Sequence, residues 1–420
     1  MIPSGGVAAA QRRSGWVRPY ATSQKQPLFC PPFFSPMLRI ALLTYSTKPR
    51  GSVIHTLELA NALHQLGHSP TVFALDKDST QENSGFPRPT PFKTIPIPAQ
   101  PCNDGIEQLI YQRIQEFVAF FQQHTETYDI YHAQDCLSAN ALAALRTAGH
   151  IPHFIRTVHH IENFNSPYLQ ACQEKSIYQP DRCLCVSQLW QNALQQDYGI
   201  AAHRVTNGVS DRFSPHPDHT DRLLAKKLNS LSHPLYLTVG GIEPRKNSLN
   251  LLRAFAQVKQ HQPTAQLLIA GGATLFDYQD YRQQFFTLAR SYALQDSLLL
   301  PGVIDDPDMP ALYRLADAFV FPSIKEGWGL VVMEAIASHL PVLTSNHPPF
   351  TEFLTPEMAV LIDPSNVQEI ATGMLKLTSG KHLSKVQQSQ TAPSVYPSSL
   401  AVQSWKTSAV QHLQLYRQLI

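Results

Sequence analysis

The sequence contains little charge and no long hydrophobic run. Only 15% of its 420 residues are charged, and the formal net charge is +2. So small a net charge argues against nucleic-acid binding driven by bulk positive charge. No apolar run approaches the roughly 20 residues that a membrane-spanning helix needs. We therefore expect a cytoplasmic, globular protein that has at most peripheral contact with a membrane.

Closely spaced cysteines are also nearly absent. The sequence has no CxxC pair and no Cys/His spacing of the kind that binds zinc. We therefore predict no metal site, and we interpret the cysteines as free thiols in a reducing compartment. The chain has six of them: Cys30, Cys102, Cys136, Cys172, Cys183 and Cys185.

Acidic residues are missing from residues 1–36, which contain three arginines and one lysine. This segment is rich in Ser, Pro and Ala, and it lacks the sustained apolar core of a secretory signal. We predict that it is a disordered extension, or that translation has been assigned upstream of a start at Met37. A transit peptide is the alternative interpretation.

From Leu38 onward, short apolar segments alternate with longer amphipathic segments. Strands such as residues 38–44 and helices such as residues 52–66 follow one another at the spacing of a parallel, doubly wound sheet. The alternation pauses at residues 211–234, which we interpret as a linker, and it resumes at Leu235–Val239.

The sequence therefore predicts an α/β protein with two Rossmann-like domains, residues 37–212 and residues 213–399. A C-terminal helix is predicted within residues 400–420. Two stretches rich in proline and polar residues, 78–105 and 380–399, are predicted to be loops.

The most informative stretch runs from Ser323 to Glu334. It follows a predicted buried strand, turns at Gly327 and Gly329, and enters a predicted helix. Such a turn binds anions, because the free N–H groups and the dipole of the helix favour negative charge. Glu326 and Glu334 flank this turn, and carboxylates accept hydrogen bonds from hydroxyls. A ligand with phosphate between two hydroxyl-rich groups, such as a nucleotide-sugar, fits this layout; acids that merely complement the helix dipole are the alternative.

A second glycine-containing loop, residues 239–247, also leaves a predicted strand and enters a predicted helix. Gly240 and Gly241 allow the backbone to approach a ligand closely. Arg245 and Lys246 place two cations at the mouth of the same site, where they would stabilise the charge of a departing diphosphate. A solvated basic pair near a helix start is the alternative.

Two histidines end a predicted strand of the first domain, in the sequence Thr157-Val158-His159-His160. Side chains at the carboxyl end of a parallel strand face the ligand cleft. Imidazole can donate hydrogen bonds and exchange protons near neutral pH. Because the chain has 18 histidines, a structural role is the alternative for each of the two.

The spacing of Glu326 and Glu334, with Glu-Gly-Trp-Gly-Leu inside it, resembles the signature of the family 4 (group 1) retaining glycosyltransferases. This chain has Trp328 where the family usually has Phe. The resemblance covers residue 37 to the C-terminus and implies the GT-B fold, in which two Rossmann-like domains face a cleft and the last helix returns to the N-terminal domain. It also implies that Trp405 lies near the domain interface, and that catalysis needs no metal or other cofactor.

The resemblance further implies roles for individual residues. Arg245 and Lys246 would stabilise the leaving diphosphate, Glu326 would bind sugar hydroxyls, and His159 would contact the transferred sugar. The other donor contacts that it implies are Gly240, Gly241, Val303, Gly327, Gly329 and Leu330, with Glu334 on the ribose. On the acceptor side of the cleft it points to Gly51, Asp135 and His160, the last of which is also the alternative to His159.

The sequence Asp306-Pro307-Asp308 looks like a metal-binding DxD motif, but its proline and turn context favour a helix-start cap.

We predict a retaining transferase that moves a hexosyl group from a nucleotide-sugar to a sugar, lipid or small-molecule acceptor. A GT-B nucleotide-sugar epimerase and a non-catalytic nucleotide-sugar-binding protein are the alternatives. In the family, retention is thought to proceed by front-face attack, with the leaving phosphate assisting deprotonation of the acceptor.

Overall fold

Two parallel β-sheets, one in each half of the chain, form the framework of the protein. The computed structural model describes residues 36–77, 85–272, 278–379 and 404–420. The prediction of a loop over residues 380–399 lies outside these residues, as does nearly all of the extension predicted at the N-terminus.

The first sheet has seven strands in the part of the chain that the structure describes. They are β1 (Arg39–Thr44), β2 (Ser69–Asp76), β3 (Lys93–Pro98), β4 (Ile130–Ala133), β5 (Ile155–Val158), β6 (Arg182–Cys185) and β7 (His203–Arg204), in the spatial order β3-β2-β1-β4-β5-β6-β7. The helices of this half are α1 (Gly51–Gln65), α2 (Ile106–Gln123), α3 (Cys136–Thr147), α4 (Pro167–Tyr178) and α5 (Gln188–Tyr198). Helices cover the sheet on both faces, which is why β1 and β4 are apolar almost throughout.

The second sheet has six strands among the described residues. They are β8 (Leu235–Val239), β9 (Gln266–Ala270), β10 (Leu298–Gly302), β11 (Ala318–Phe321), β12 (Val342–Ser345) and β13 (Val360–Ile362), in the spatial order β10-β9-β8-β11-β12-β13. Its helices are α6 (His219–Leu228), α7 (Ser248–His261), α8 (Gln279–Ser291), α9 (Met309–Leu315), α10 (Leu330–Ala337) and α11 (Val367–Leu377). The prediction of an α/β protein with two doubly wound parallel sheets is confirmed.

The order of strands reverses beside the first strand of each sheet. In the first sheet β1 lies between β2 and β4, and in the second sheet β8 lies between β9 and β11. Ligands of open α/β sheets bind at such switch points, outside the carboxyl ends of the strands. The loops that follow β1, β4, β8 and β11 are therefore the ones placed to form a site.

The last helix, α12 (Trp405–Tyr416), packs on the first sheet, as the predicted GT-B fold requires. Trp405, Ala409, Leu413 and Tyr416 recur at helical spacing, and all four are buried in the core of the first half, beside α1. The backbone of α12 also lies against Gly208, where an added Cβ would collide with the backbone of Trp405.

One predicted loop is wrong, because residues 78–105 include β3. Among the described strands it pairs with β2 alone, at the edge of the sheet. Pro96 and Pro98 lie within it, and proline is tolerated at an edge, where its missing N–H is not needed by a second neighbour. The prolines that suggested a loop therefore mark an edge strand.

The predicted linker over residues 211–234 also contains a helix, α6. The side chain of Asp218 caps it by accepting a hydrogen bond from the N–H of Thr220 at 2.8 Å. Leu224 is its one fully buried residue and packs in the core of the second half. With so little apolar surface, the helix gives only a weak periodic signal in the sequence.

The described cysteines, Cys102, Cys136, Cys172, Cys183 and Cys185, are free thiols. In the described part of the chain, no helix combines the length and the apolar character that crossing a bilayer would require.

Candidate functional site

The loops after β8 and β11 meet at the carboxylate of Glu326. Its Oε1 accepts hydrogen bonds from Arg245 Nη1 at 3.0 Å, Lys246 Nζ at 2.5 Å and Ser323 Oγ at 2.9 Å. Ser323 Oγ and the N–H of Ile324 also lie 2.8 Å from the carbonyl oxygen of Arg245, which fastens the two loops together. Among the described residues, all the hydrogen bonds to this carboxylate end on Oε1, so Oε2 stays available for a further donor.

The charges of this cluster balance. Arg245 also pairs with Glu243 at 2.9 Å, so two cations face two carboxylates. Burial and the neighbouring Arg245 lower the pKa of Lys246 to about 8. Burial alone would raise the pKa of Glu326, but Lys246 and Arg245 outweigh it and hold that pKa below its ordinary value. The cluster is therefore a compact, ionised group at the mouth of the second sheet.

Glycines give the cluster its shape. Gly240 has φ +140°, and a Cβ there would lie 3.0 Å from Cε of Lys246. Any other residue would strain the backbone and displace the lysine side chain. Gly271, directly after β9, packs against the backbone of Gly240 and Gly241.

Val303, after β10, continues this surface. Its side chain is 57% exposed, and it lies where a Cβ on Gly272 would come within 2.9 Å of it. The segments that follow β8, β9 and β10 thus lie side by side along one edge of the second sheet. Gly271 and Gly272 were not predicted as site residues, although two glycines directly after a buried strand form the same pattern as Gly240-Gly241.

The first half of the molecule touches this cluster through its own strand ends. A Cβ on Gly327 would collide with the carbonyl oxygen of His159, so the two backbones are in direct contact. The indole Nε1 of Trp190 donates to the carbonyl oxygen of Glu326 at 3.2 Å, and Lys325 pairs with Glu162 at 3.3 Å. His159, at the end of β5, and residues 323–329, which we call the acidic loop, therefore meet across the cleft.

His159 is a neutral ring in this environment. Its Nε2 lies 3.2 Å from Oε1 of Gln134. Burial, followed by the nearby His160 and His132, lowers the pKa of His159 to about 3. In this arrangement the imidazole is neutral near pH 7, so the geometry supports hydrogen bonding by His159, and proton exchange by this ring stays a prediction.

The acidic loop continues into α10. Gly329 precedes the helix with φ +104°, and a Cβ there would lie 2.8 Å from the ring of Phe350. The first turn of α10 contains no acidic residue and has no side-chain cap. The first N–H groups of this helix, beginning at Leu330, therefore lack a partner within the helix and can serve an anion.

Glu334, one turn into α10, is buried. The hydroxyl of Tyr313 donates to its Oε2 at 2.8 Å, and burial raises the pKa of Glu334 to about 7. The space beside this carboxyl is bounded by Glu58, Gly208 and Trp405, among others, and encloses about 10 Å³. That is room for roughly one water molecule, so a ribose can reach Glu334 only if these walls separate.

A chain of ion pairs joins the two halves beside Glu334. Arg88 donates to Glu58 at 2.7 Å and to Asp306 at 2.8 Å, and Arg212 pairs with Asp306 at 2.8 Å. Asp306 is 3% exposed. Neither Asp305 nor Asp308 caps the adjoining helical turns with its side chain, so the helix-cap interpretation of this segment is wrong. The carboxylate of Asp306 pairs with Arg88 and Arg212 instead.

Replacing Arg88 with methionine should lower the free energy of unfolding by about 3 kcal/mol. The change leaves Glu58, whose side chain is 5% exposed, as an unpaired buried charge. Urea denaturation measures the loss, and the double variant with Glu58→Gln should recover part of it. The matched control is Lys227→Ala, which removes a 60% exposed lysine from its pairs with Asp305 and Asp308 and should change little. Equal effects of the two single variants would contradict the prediction.

The residues expected on the acceptor side are less clearly part of a site. A Cβ on Gly51 would meet no atom within 4 Å, so this glycine is not required by packing. Asp135 caps α3, accepting from the N–H of Ser138 at 2.9 Å, and burial raises its pKa to about 6. His160 is half exposed and pairs with Glu162 at 3.4 Å. The direct contact with residues 323–329 comes from the neighbouring His159, whose carbonyl oxygen lies against Gly327.

Comparison with family models divides the chain in the same way as the two sheets do. A model described as Glycosyltransferase Family 4 matches residues 49–213. A model described as Glycosyl transferases group 1 matches residues 220–392. The predicted resemblance is confirmed by both models, and together they cover the two halves that meet at Glu326.

Individual proteins agree with these models. The mannosylfructose-phosphate synthase of Agrobacterium fabrum is 23% identical over 357 residues, which cover 78% of this chain and 78% of that protein. The mannosyltransferase WbdA of Escherichia coli is 27% identical over 66% of this chain, but the match spans only 34% of WbdA.

Solved structures share the fold. The sucrose-phosphate synthase of Thermosynechococcus elongatus superposes with a TM-score of 0.70 at 22% identity, covering 91% of this chain and 99% of that one. HepE of Anabaena, in complex with UDP and glucose, superposes with a TM-score of 0.67 at 17% identity, covering 90% of this chain and 99% of that one.

Proposed function

Since this chain belongs to the group 1, family 4 glycosyltransferases, we propose that it moves a hexosyl group from a nucleotide-sugar to an acceptor with retention of configuration. The observation that carries the proposal is the cluster in which Arg245 and Lys246 converge on one oxygen of Glu326. Two cations held at the carboxyl ends of β8 and β11 can receive a diphosphate. The free Oε2 of Glu326 can accept a hydrogen bond from a sugar hydroxyl.

The donor binds along the second sheet in this proposal. Its diphosphate lies between the two cations and the first N–H groups of α10, near Gly329 and Leu330. Its ribose reaches Glu334, which accepts hydroxyl hydrogen bonds best when ionised. Because the space at Glu334 holds only about one water, the two halves must move apart to admit the nucleoside. The rest of the donor contacts the backbone at Gly240, Gly241 and Val303.

Transfer then needs no protein nucleophile. The bond between the anomeric carbon and the diphosphate breaks, and the acceptor oxygen bonds to the same face of that carbon. The proton of the acceptor hydroxyl passes to an oxygen of the leaving diphosphate. Arg245 and Lys246 stabilise the charge that develops on the diphosphate, while neutral His159, whose Nε2–H is donated to Gln134, accepts a hydrogen bond from a sugar hydroxyl at Nδ1. Glu326, held by two cations, is a poor nucleophile, which supports front-face attack.

A hexosyl donor is supported by the comparisons. One solved neighbour, HepE, was determined in complex with UDP-glucose, and the similar WbdA protein is named a mannosyltransferase. The acceptor is proposed only as a hydroxyl compound: a sugar, a lipid or another small molecule.

A panel of nucleotide-sugars tests the proposal. The purified protein is incubated with UDP-, ADP- and GDP-hexoses, and release of the nucleoside diphosphate is measured with and without mixed sugar and sugar-phosphate acceptors. We expect slow hydrolysis of one donor and faster release with one acceptor, whose mass increases by one hexosyl unit. NMR of the product should show the anomeric configuration of the donor. Isomerisation of the donor without a change in acceptor mass would favour an epimerase, and binding without turnover would favour a sensor.

The rate should depend on the charge of Lys246. Its pKa of about 8 means that raising the pH removes the proton and with it one of the two cations. The value of kcat/KM should therefore be constant below about pH 8 and fall by up to tenfold per pH unit above it. The corresponding fall in kcat should begin at a higher pH, because a bound diphosphate stabilises the ammonium of Lys246. The Lys246→Arg variant should lose this alkaline limb, whereas an unchanged limb would assign it to another group.

A further inference from the structure

Two buried rings, those of Trp405 and His55, connect the C-terminal helix to His159. The imidazole of His55, on α1, lies edge-on to the ring of His159, with centroids 4.6 Å apart and planes at 79°. Its other neighbour is the indole of Trp405, the first residue of α12, at 5.1 Å and 82°. His55 is 1% exposed. His159 is thus held between Gln134, which bonds its Nε2, and the ring of His55.

A hydrogen bond to Asn207, in the segment that follows β7, orients the ring of His55. Its Nδ1 lies 3.0 Å from Oδ1 of Asn207, which is 2% exposed. The next residue, Gly208, has its backbone against that of Trp405, and Val209 pairs with Ser404 in an isolated β-bridge. His55 therefore contacts Asn207 in the segment after β7, Trp405 of the C-terminal helix, and His159.

Packing alone does not explain a histidine at this position. The other ring nitrogen, Nε2, is buried and has no hydrogen-bond partner among the residues that the structure describes, which costs free energy that an apolar side chain would not lose. Burial and the nearby His159 and His412 keep the pKa of His55 well below its ordinary value, so the ring is neutral. What a neutral histidine supplies here, and leucine or phenylalanine does not, is a ring whose plane is fixed by a bond to Asn207.

We propose that His55 is a positioning residue for His159, through which Asn207 and Trp405 fix the orientation of the His159 ring in the closed cleft. The inference rests on the proposed function, because it takes His159 as the residue that contacts the transferred sugar. Asn207 follows β7, and Trp405 packs beside α1 in the core of the first half, so the anchor of His55 lies in the same half of the molecule as His159.

Steady-state kinetics test this role with a matched control. His55→Phe keeps a planar ring but removes the bond to Asn207, and Asn207→Ala removes the same bond from the other side. Each should lower kcat by about tenfold or more, as small misplacements of a contact residue do, while the KM for the donor stays within about twofold. The double variant should lose little more than either single one, because both changes break one interaction. The control is His68→Gln, a buried histidine that bonds the N–H of Leu38 at 3.1 Å, which should lower the melting temperature but not kcat.

A second measurement does not depend on turnover. In protein with 15N-labelled histidine, the ring resonances of His159 should shift in His55→Phe and in Asn207→Ala, but not in His68→Gln. Unchanged His159 resonances together with unchanged kcat in folded variants would overturn the inference. If wild-type protein transfers no sugar, the proposed function fails, and the NMR comparison still decides whether His55 orients His159. If His55→Phe does not fold, Asn207→Ala, which leaves all three rings in place, carries the test.

Discussion

Replacing Lys246 with alanine should reduce kcat by about 10³-fold and leave the protein folded. The ammonium lies 2.5 Å from Glu326 and 4.3 Å from the ring centre of Phe321, so its position is fixed before a donor arrives. A preorganised charge of this kind stabilises the leaving diphosphate only as the bond breaks, and losing one such group typically costs about 10²–10³ in rate. The measurement is kcat under saturating donor and acceptor, with the melting temperature recorded for each variant.

Two controls separate the charge from the fold. Lys246→Arg restores a permanent cation and should recover part of the rate. Lys227→Ala removes an exposed lysine from the same domain, and it should leave kcat unchanged. Folding should survive Lys246→Ala because Glu326 keeps its bonds to Arg245 and Ser323. A Lys246→Ala enzyme with more than a tenth of the wild-type kcat would remove the lysine from the departure of the diphosphate.

The balance of charge in the cluster suggests how the donor is admitted. Without ligand, Glu243 and Glu326 neutralise Arg245 and Lys246. An incoming diphosphate carries about the same negative charge as these two carboxylates. It can therefore share the two cations with these carboxylates while Oε2 of Glu326 binds sugar hydroxyls, so that one carboxylate stabilises the empty site and then also binds the sugar.

Much of the fold could be predicted because parallel strands buried on both faces leave a strong signal. β1, β8 and β11 are short apolar runs, and each is followed by a glycine-containing turn or a helix. Three of the elements that were missed lack that signal. β3 carries prolines at a sheet edge, α6 buries one leucine, and α4 has apolar residues with little periodicity.

The candidate site could be predicted to the extent that it follows strand ends. Glu326 and Lys246 come directly after β11 and β8, which topology brings to the same edge of one sheet. Contacts between segments far apart in the sequence could not be predicted, because they join segments that share no periodicity. The pair of Arg88 with Asp306 and the bond of His55 to Asn207 are of this kind. The neutral state of His159 could not be predicted from the sequence either, because it depends on burial of the ring.

Replacing Gly327 with alanine should lower kcat/KM by about 10²-fold or more through steric contact alone. The backbone of Gly327 is not in the left-handed region, so alanine can adopt its torsions without strain. The added Cβ, however, meets the carbonyl oxygen of His159, and neither partner is a side chain that can rotate away. The two domains must then close less fully, and a displacement of about 1 Å in a catalytic contact costs on the order of 10²-fold.

The neighbouring position supplies the control for this variant. Trp328→Phe changes the same loop but keeps an aromatic ring stacked on Phe353, whose centroid lies 4.6 Å away, and it should leave kcat/KM within about threefold. Donor binding in the absence of acceptor should be similar in both variants, because the diphosphate contacts of Arg245 and Lys246 belong to one domain. Gly327→Ala protein with wild-type kcat/KM would mean that sugar transfer takes place without the contact between Gly327 and His159, and that the catalytic arrangement is more open than this one.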